Sequence, residues 1–174
     1  MSPTPLLGFV GYSDSGKTTL LTALIAHFHT QGFKIGAVKH HRRAFDIDHE
    51  GKDSWRFTRA GAQKTIITGP HQTALVEQTP GQRPLEELVD EYMTGLDLII
   101  VEGFKLAAIP KIEIQRTALG RPLLTRDENH DPNLIAVVSD SPRELDVPRF
   151  SPDAVSELAT FICSYFGLTR PTRQ

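Results

Sequence analysis

A single cysteine, Cys163, leaves the chain without any internal disulfide, so its stability must come from packing. Charge of one sign is missing as well. Nineteen Lys and Arg stand against 21 Asp and Glu, a net of −2, and a nucleic-acid partner, which calls for a broad basic surface, is not expected. No segment approaches the roughly 20 consecutive apolar residues that cross a bilayer. The first residues, MSPTPLLGFVGYS, lack the basic flank and long apolar run of a signal peptide. A cytoplasmic location with no membrane association is the expectation. There is also no low-complexity tract, no internal repeat and no linker. With 39% apolar and 23% charged residues over 174 positions, the composition suits one globular α/β domain covering 1–174, with a polar tail at 167–174.

The segments that are present alternate in period. Leu6 to Tyr12 is a short apolar run, and Thr18 to Gln31 carries Leu20, Leu21, Leu24, Ile25 and Phe28 at helical spacing. Gly32 stops that helix and Lys34 to His40 reads as a second strand, which makes a βαβ unit. His41 to Lys52 is polar and of mixed charge, a surface loop before a short helix over Asp53 to Ala60. Lys64 to Thr68 and Thr73 to Glu77 read as a hairpin. Pro84 opens a helix with Glu86 and Glu87 in its first turn. Leu96 to Val101, Lys111 to Gln115 and Leu134 to Ser139 are further strands, with Arg116 to Asn133 as a long loop. The last helix is expected to start at Ser151-Pro152-Asp153 and to bury Val155, Leu158, Phe161, Ile162 and Phe166. The expected fold class is α/β, a P-loop NTPase-like, mostly parallel sheet flanked by helices. The hairpin has no place in a βαβ order, and an unpaired strand edge is a liability that dimerisation relieves, so it is expected to pair with a second subunit in a homodimer.

Gly11-Tyr-Ser-Asp-Ser-Gly16-Lys17-Thr18 fits G-x-x-x-x-G-K-[ST] between a strand and a helix, the context that the phosphate-loop pattern requires. Its backbone N–H groups and the helix N-terminus would face a triphosphate. Lys17 would reach the β and γ phosphates and the Thr18 hydroxyl would ligate Mg²⁺. Asp14, inside the loop, should point to solvent or a partner, since a carboxylate aimed inward would repel phosphate. Glu102, ending the most strand-like run, is the candidate acid on the metal side, with Gly103 able to bring an N–H near the γ-phosphate and Lys105 adding positive charge. Asp97 starts the same strand and so lies at the opposite edge of the sheet.

Lys39, His40 and His41 close the second strand on the same edge as the loop, and Lys39 is a candidate phosphate contact. His40, His41, Asp46, Asp48 and His49 are residue types that ligate transition metals, but their spacing favours a solvated loop. Asp53 is either a helix cap or a second acid on the metal side. Asp140, after the strand ending at Ser139, is either part of a Ser-Asp-Ser-Pro turn or an acceptor for the N1 and 2-amino donors of guanine. The second reading makes GTP the preferred triphosphate.

Together, GYSDSGKTTLL, AVKHHRRAFDID, GKDSWRFTRAGA, LDLIIVEGFK and AVVSD resemble the MobB family, adaptors of molybdopterin guanine dinucleotide biosynthesis, from Leu6 to about Phe166. That resemblance implies a GTP-binding, slowly hydrolysing homodimer that assists the nucleotidyltransferase MobA, with molybdopterin itself as a further candidate ligand. It also implies that Gly11, Ser13, Ser15, Gly16, Lys17, Thr18 and Thr19 carry the phosphate site, while Glu102 and Asp53 carry the metal side. Lys17 and Glu102 are the candidates for catalysis. No arginine or water-positioning glutamine is evident beside the loop, so turnover by the chain alone should be slow. Two other readings compete. A small-molecule kinase would use Arg116, Arg121 and Arg126 as a mobile lid, and a metallochaperone GTPase would use the histidine loop.

Overall fold

Six strands form one sheet in the order β2-β5-β1-β6-β7-β8, every pair parallel, in a computed structural model that describes residues 4–41 and 45–171. The strands are β1 (Leu6–Val10), β2 (Ile35–Lys39), β5 (Leu98–Glu102), β6 (Lys111–Gln115), β7 (Leu134–Ser139) and the two-residue β8 (Arg149–Phe150). Strands buried on both faces need no polar alternation, which is why LIIV and LIAVV read as continuous apolar runs. Helices α1 (Lys17–Thr30) and α4 (Val155–Phe166) cover one face. There Leu20, Leu21, Leu24 and Phe28 of α1, with Leu158, Ala159 and Ile162 of α4, meet Leu7, Phe9, Leu98, Ile100, Ile112, Ile114, Ala136 and Val138.

The contacts divide the chain into two compact units, 1–40 with 89–174, and 41–88. The first unit holds the six-stranded sheet. In the second, β3 (Lys64–Thr68) pairs antiparallel with β4 (Thr73–Glu77), and α2 (Asp53–Arg59) is tied to β3 by the Thr58 and Thr65 hydroxyls at 3.2 Å. Helix α3 (Leu85–Tyr92) starts in the second unit's sequence and ends in the first's.

The expected long loop at 116–133 is instead structured around a buried carboxylate. Successive strand residues face opposite sides, so Ile112 and Ile114 enter the helical core while Lys111 and Glu113 face the other side of the sheet. Glu113, 1% exposed, accepts hydrogen bonds from the backbone N–H of Leu124 and Thr125 and from the Thr125 hydroxyl. Those three bonds hold the start of a π-helical turn, Leu124–Glu128, which follows a 3-10 turn at Thr117–Leu119. Lys111, 2% exposed, pairs with Asp131 at 2.6 Å. Leu123, Leu134 and Val137, with Leu145 and Val147, form a small apolar cluster.

Helix α4 starts later than expected. Ser151 to Ala154 is a turn in front of it, closed by Ala154 N–H to the Ser151 carbonyl at 3.0 Å, and Ala154 occupies the cap position without a side-chain bond. At the other end Gly167 takes φ 64°, Leu168 N–H bonds the Cys163 carbonyl, and Leu168 packs on the core.

Two outcomes follow. Glu113→Ala strands three donors in a dry layer, and the unfolding free energy measured by urea denaturation should fall by about 3 kcal/mol, with faster amide exchange concentrated in 117–131. The Asp131 carboxyl is pushed up by burial, but the Lys111 ammonium and the N–H groups of Asn133 outweigh this and hold it below its ordinary 3.8. The folded chain therefore binds this proton less tightly than the unfolded one. The stabilisation is complete above about pH 4 and is lost as pH falls through the folded value. Urea midpoints taken from pH 5 to pH 2 should decline less in Asp131→Asn than in the parent.

Candidate functional site

The site begins where β1 ends. Gly11 has φ +150°, and a Cβ on it would lie 2.4 Å from the Ile114 carbonyl oxygen and 2.9 Å from Ser15 Oγ. Only a glycine lets the loop pass this close to β6. Gly16, in the left-handed region at φ 89°, is the N-cap of α1 and makes no side-chain cap bond. The first intrahelical bond runs from Leu20 N–H to the Gly16 carbonyl at 3.0 Å, which leaves the first-turn amides of Lys17, Thr18 and Thr19 without helical partners. No acidic residue stands in that first turn to offset the dipole. A 14-residue helix thus presents an uncompensated positive end at the carboxyl edge of a parallel sheet.

Lys17 Nζ folds back onto the loop and donates to the Gly11 and Tyr12 carbonyls at 3.2 and 2.5 Å. Burial pushes its ammonium below the ordinary 10.5, opposed mainly by Glu102. The Ser15 hydroxyl is fully buried and has no hydrogen-bond partner among the described residues, the condition of a loop whose polar groups are completed by something outside the chain. Ser13, Asp14, Thr18 and Thr19 are exposed, and Asp14, at φ 63°, turns outward as expected.

Glu102 stands beside Phe9 of β1 and Lys39 of β2, and its carboxylate pairs with Lys39 at 3.4 Å. Lys39 is thus held on the Glu102 carboxylate. Behind Glu102 the chain turns through Gly103 at φ 96° and Phe104 at φ 45°. A Cβ at Gly103 would strike His40 Cβ at 2.8 Å, and the His40 ring lies 4.8 Å from the Phe104 ring. Thr18 and Glu102, with the hard oxygen ligands that Mg²⁺ takes, are the residues of this unit that could hold that ion beside a phosphate. Asp53 belongs to the other unit, as the first residue of α2 behind the cap residue Lys52, so it is a first-turn acid rather than the cap itself.

Among the described residues, no group of three or more His, Cys, Asp or Glu is placed to hold a metal ion. Asp140, the candidate guanine reader, is held by the segment that follows β6. Asp140 Oδ1 accepts from the backbone N–H of Thr117 at 2.8 Å and from its hydroxyl. The Thr117 hydroxyl and N–H therefore hold the Asp140 carboxyl below its ordinary value. That partner lies 23 residues away, and the carboxyl also takes a hydrogen bond from its own backbone, the turn contact that the sequence offered.

Sequence reasoning offered Arg116 only as part of a mobile lid and missed its fixed contact with the base of the loop. Arg116, at the end of β6, donates from Nε to the Ser15 carbonyl at 3.4 Å, and its guanidinium lies 3.2 Å from where a Gly16 Cβ would be. The lid arginines do not act together. Arg121 lies over the Tyr12 ring at 5.7 Å, and Arg126 bonds Asp146 and the carbonyls of Thr125 and Asp131. Tyr12 also donates to Glu128 at 2.5 Å, with Lys105 Nζ 5.8 Å from its ring. A cavity of about 520 Å³ is lined by Val10, Lys105, Leu106, Thr125, Glu128 and His130, among others.

Comparison with known proteins gives a consistent result. The model of the MobB family, described as molybdopterin guanine dinucleotide synthesis protein B, matches residues 6–140. The molybdopterin-guanine dinucleotide biosynthesis adapter protein of Escherichia coli is 39% identical over 92% of this chain and 93% of its own length. The protein of the same name from Haemophilus influenzae is 37% identical over 91% and 87%. The crystal structure of Bacillus subtilis MobB superimposes with a TM-score of 0.75 at 26% identity, covering 92% of this chain and 96% of that one. A MobB homologue from Bacillus stearothermophilus gives 0.68 at 27% identity, covering 93% and 97%. On these grounds the chain belongs to the MobB family.

Proposed function

We propose that this protein is a GTP- and Mg²⁺-binding adaptor that assists a MobA-type nucleotidyltransferase in attaching a guanine nucleotide to molybdopterin, and that it hydrolyses GTP slowly. The observation that carries the nucleotide half is the uncompensated start of α1 behind Gly16, with Lys17 folded onto loop carbonyls that a phosphate would replace. The adaptor half is supported by relatives at 37% and 39% identity whose names state that role. Gly11, Ser13, Asp14, Ser15, Gly16, Lys17, Thr18 and Thr19 form the phosphate loop in this reading. Thr18 and Glu102 serve the metal, and Lys39 and Gly103 border the γ-phosphate. Direct contact with molybdopterin would have the 520 Å³ cavity available. Slow hydrolysis is in keeping with Arg116 bonded to the Ser15 carbonyl at the loop's base rather than reaching toward a transferring phosphoryl. The kinase reading ranks lower, since Arg116, Arg121 and Arg126 hold three separate structural contacts. The described residues offer the metallochaperone reading no ligand cluster. No described helix is long and apolar enough to cross a membrane.

The hairpin β3–β4 is proposed as the homodimer contact. Ile66 and Leu75 are register partners on one face and are 66% and 37% exposed, with Ile67 at 43%. An isolated two-stranded sheet is marginal in water, and its edges invite pairing.

Lys17→Ala should weaken GTP binding by about 3 kcal/mol, roughly 100-fold in Kd, with little change in thermal stability. Calorimetric titration measures the first, and an unaltered affinity removes the nucleotide half of the proposal. The same variant should lose its stimulation of molybdopterin guanine dinucleotide formation when mixed with the nucleotidyltransferase. Sedimentation of the parent at micromolar concentration should give a dimer, and Ile66→Lys with Leu75→Lys a monomer. A monomeric parent would rule the hairpin contact out.

A further inference from the structure

On the β6 side of the phosphate loop, away from Glu102, lies a cavity of about 220 Å³ lined by Ser15, Gly16, Thr19, Arg116, Pro152 and Asp153, among others. It is smaller than the ~300–1,000 Å³ of pockets that swallow a whole ligand. That is the scale for one end of a ligand whose other end rests outside. The loop residues in its wall, Ser15, Gly16 and Thr19, belong to the phosphate loop itself. The sheet order places β5, with Glu102, on one side of β1 and β6, with Arg116, on the other. A nucleotide whose phosphates and metal lie on the loop and the β5 side therefore has its base toward β6 and β7.

The chemistry of the walls is selective. Ala23, Pro152 and Val155, each partly exposed, supply apolar surface for a flat ring. Arg116 supplies a planar guanidinium, already fixed by the Ser15 carbonyl, of the kind that stacks on aromatic faces. Asp153 is the one acidic residue among the described residues that line it. Its backbone N–H bonds Ser151 Oγ at 3.5 Å, but its side chain has no hydrogen-bond or ion-pair partner among the described residues, unlike that of Asp140. A carboxylate accepts two hydrogen bonds side by side. Guanine presents two such donors, N1–H and the 2-amino group, and adenine presents no such pair on that edge.

Resting on the nucleotide reading above, we propose that this cavity receives the base and that Asp153, not Asp140, is the specificity-determining residue that selects guanine. The late start of α4 has a role in this reading. The Ser151 to Ala154 turn, in place of helix, is what sets Asp153 at the cavity.

The test is equilibrium binding of GTP, ATP and xanthosine triphosphate, each with Mg²⁺, to the full chain and to its Asp153→Asn and Asp140→Asn variants. Asp153 is exposed and its side chain is unbonded, so Asp153→Asn should fold normally, which circular dichroism checks. The parent should prefer GTP over ATP by 10-fold or more. Asp153→Asn should lower GTP affinity by about 10–100-fold, leave ATP unchanged and favour xanthosine triphosphate, whose 2-oxo group accepts where guanine donates. Asp140→Asn should keep the parental order. An order unchanged by Asp153→Asn, or one changed only by Asp140→Asn, overturns this assignment while leaving the triphosphate site standing. A parent that binds none of the three overturns both.

Discussion

Everything in the site depends on one close approach, that of the Gly11 backbone to the Ile114 carbonyl. A β-carbon at Gly11 would sit 2.4 Å from that oxygen, well inside van der Waals contact, so any side chain there would push the loop off the sheet. Because the glycine permits the crossing, the loop runs over the carboxyl edge between β1 and β6 and enters α1 through a second left-handed glycine. That geometry aims the positive end of a long helix at a single point. It also brings Arg116 from the end of β6 against Gly16, so the loop and its neighbouring strand form one wall.

The two faces of the sheet solve different problems. One is an ordinary apolar layer against α1 and α4. The other carries a lysine and a glutamate almost fully out of water, each held by its own partners. Buried charges are tolerated only when every lone pair and proton is met. Glu113 meets that condition by organising the π-helical turn, and Lys111 by binding Asp131. The same turn supplies Glu128 to the Tyr12 hydroxyl. Order in the 116–133 excursion is thereby tied to the second residue of the phosphate loop.

The sheet order assigns labour at the carboxyl edge. The β5 side gathers charge, with Glu102, Lys39 and Lys105 around Lys17. The β6 side offers apolar wall, a fixed guanidinium and one carboxylate. In open α/β sheets ligands collect at this edge because the crossovers leave a crevice there. Membership of the MobB family agrees with that architecture, and solved relatives share it at TM-scores of 0.68 and 0.75.

The sequence alone determined what is encoded locally. Gly11 to Thr18 announced its own loop, because glycine spacing and the strand and helix on either side are sufficient to specify it. The strands Lys64–Thr68, Thr73–Glu77, Lys111–Gln115 and Leu134–Ser139 lie where their apolar and β-branched runs put them. Tertiary structure decided who partners whom. The segment after β6 looked like loop because its order comes from Glu113, a residue outside it, and no period in 116–133 could reveal that. Asp140 read as either a turn residue or a base acceptor, and only the fold set Thr117 against it. Arg116 looked remote from the phosphate loop, 101 residues from Ser15 along the chain, until β6 came to lie beside β1. The physical reason is the same in each case. Periodicity and turn chemistry act over a few residues, whereas a hydrogen bond between distant segments exists only once the sheet has set their spacing.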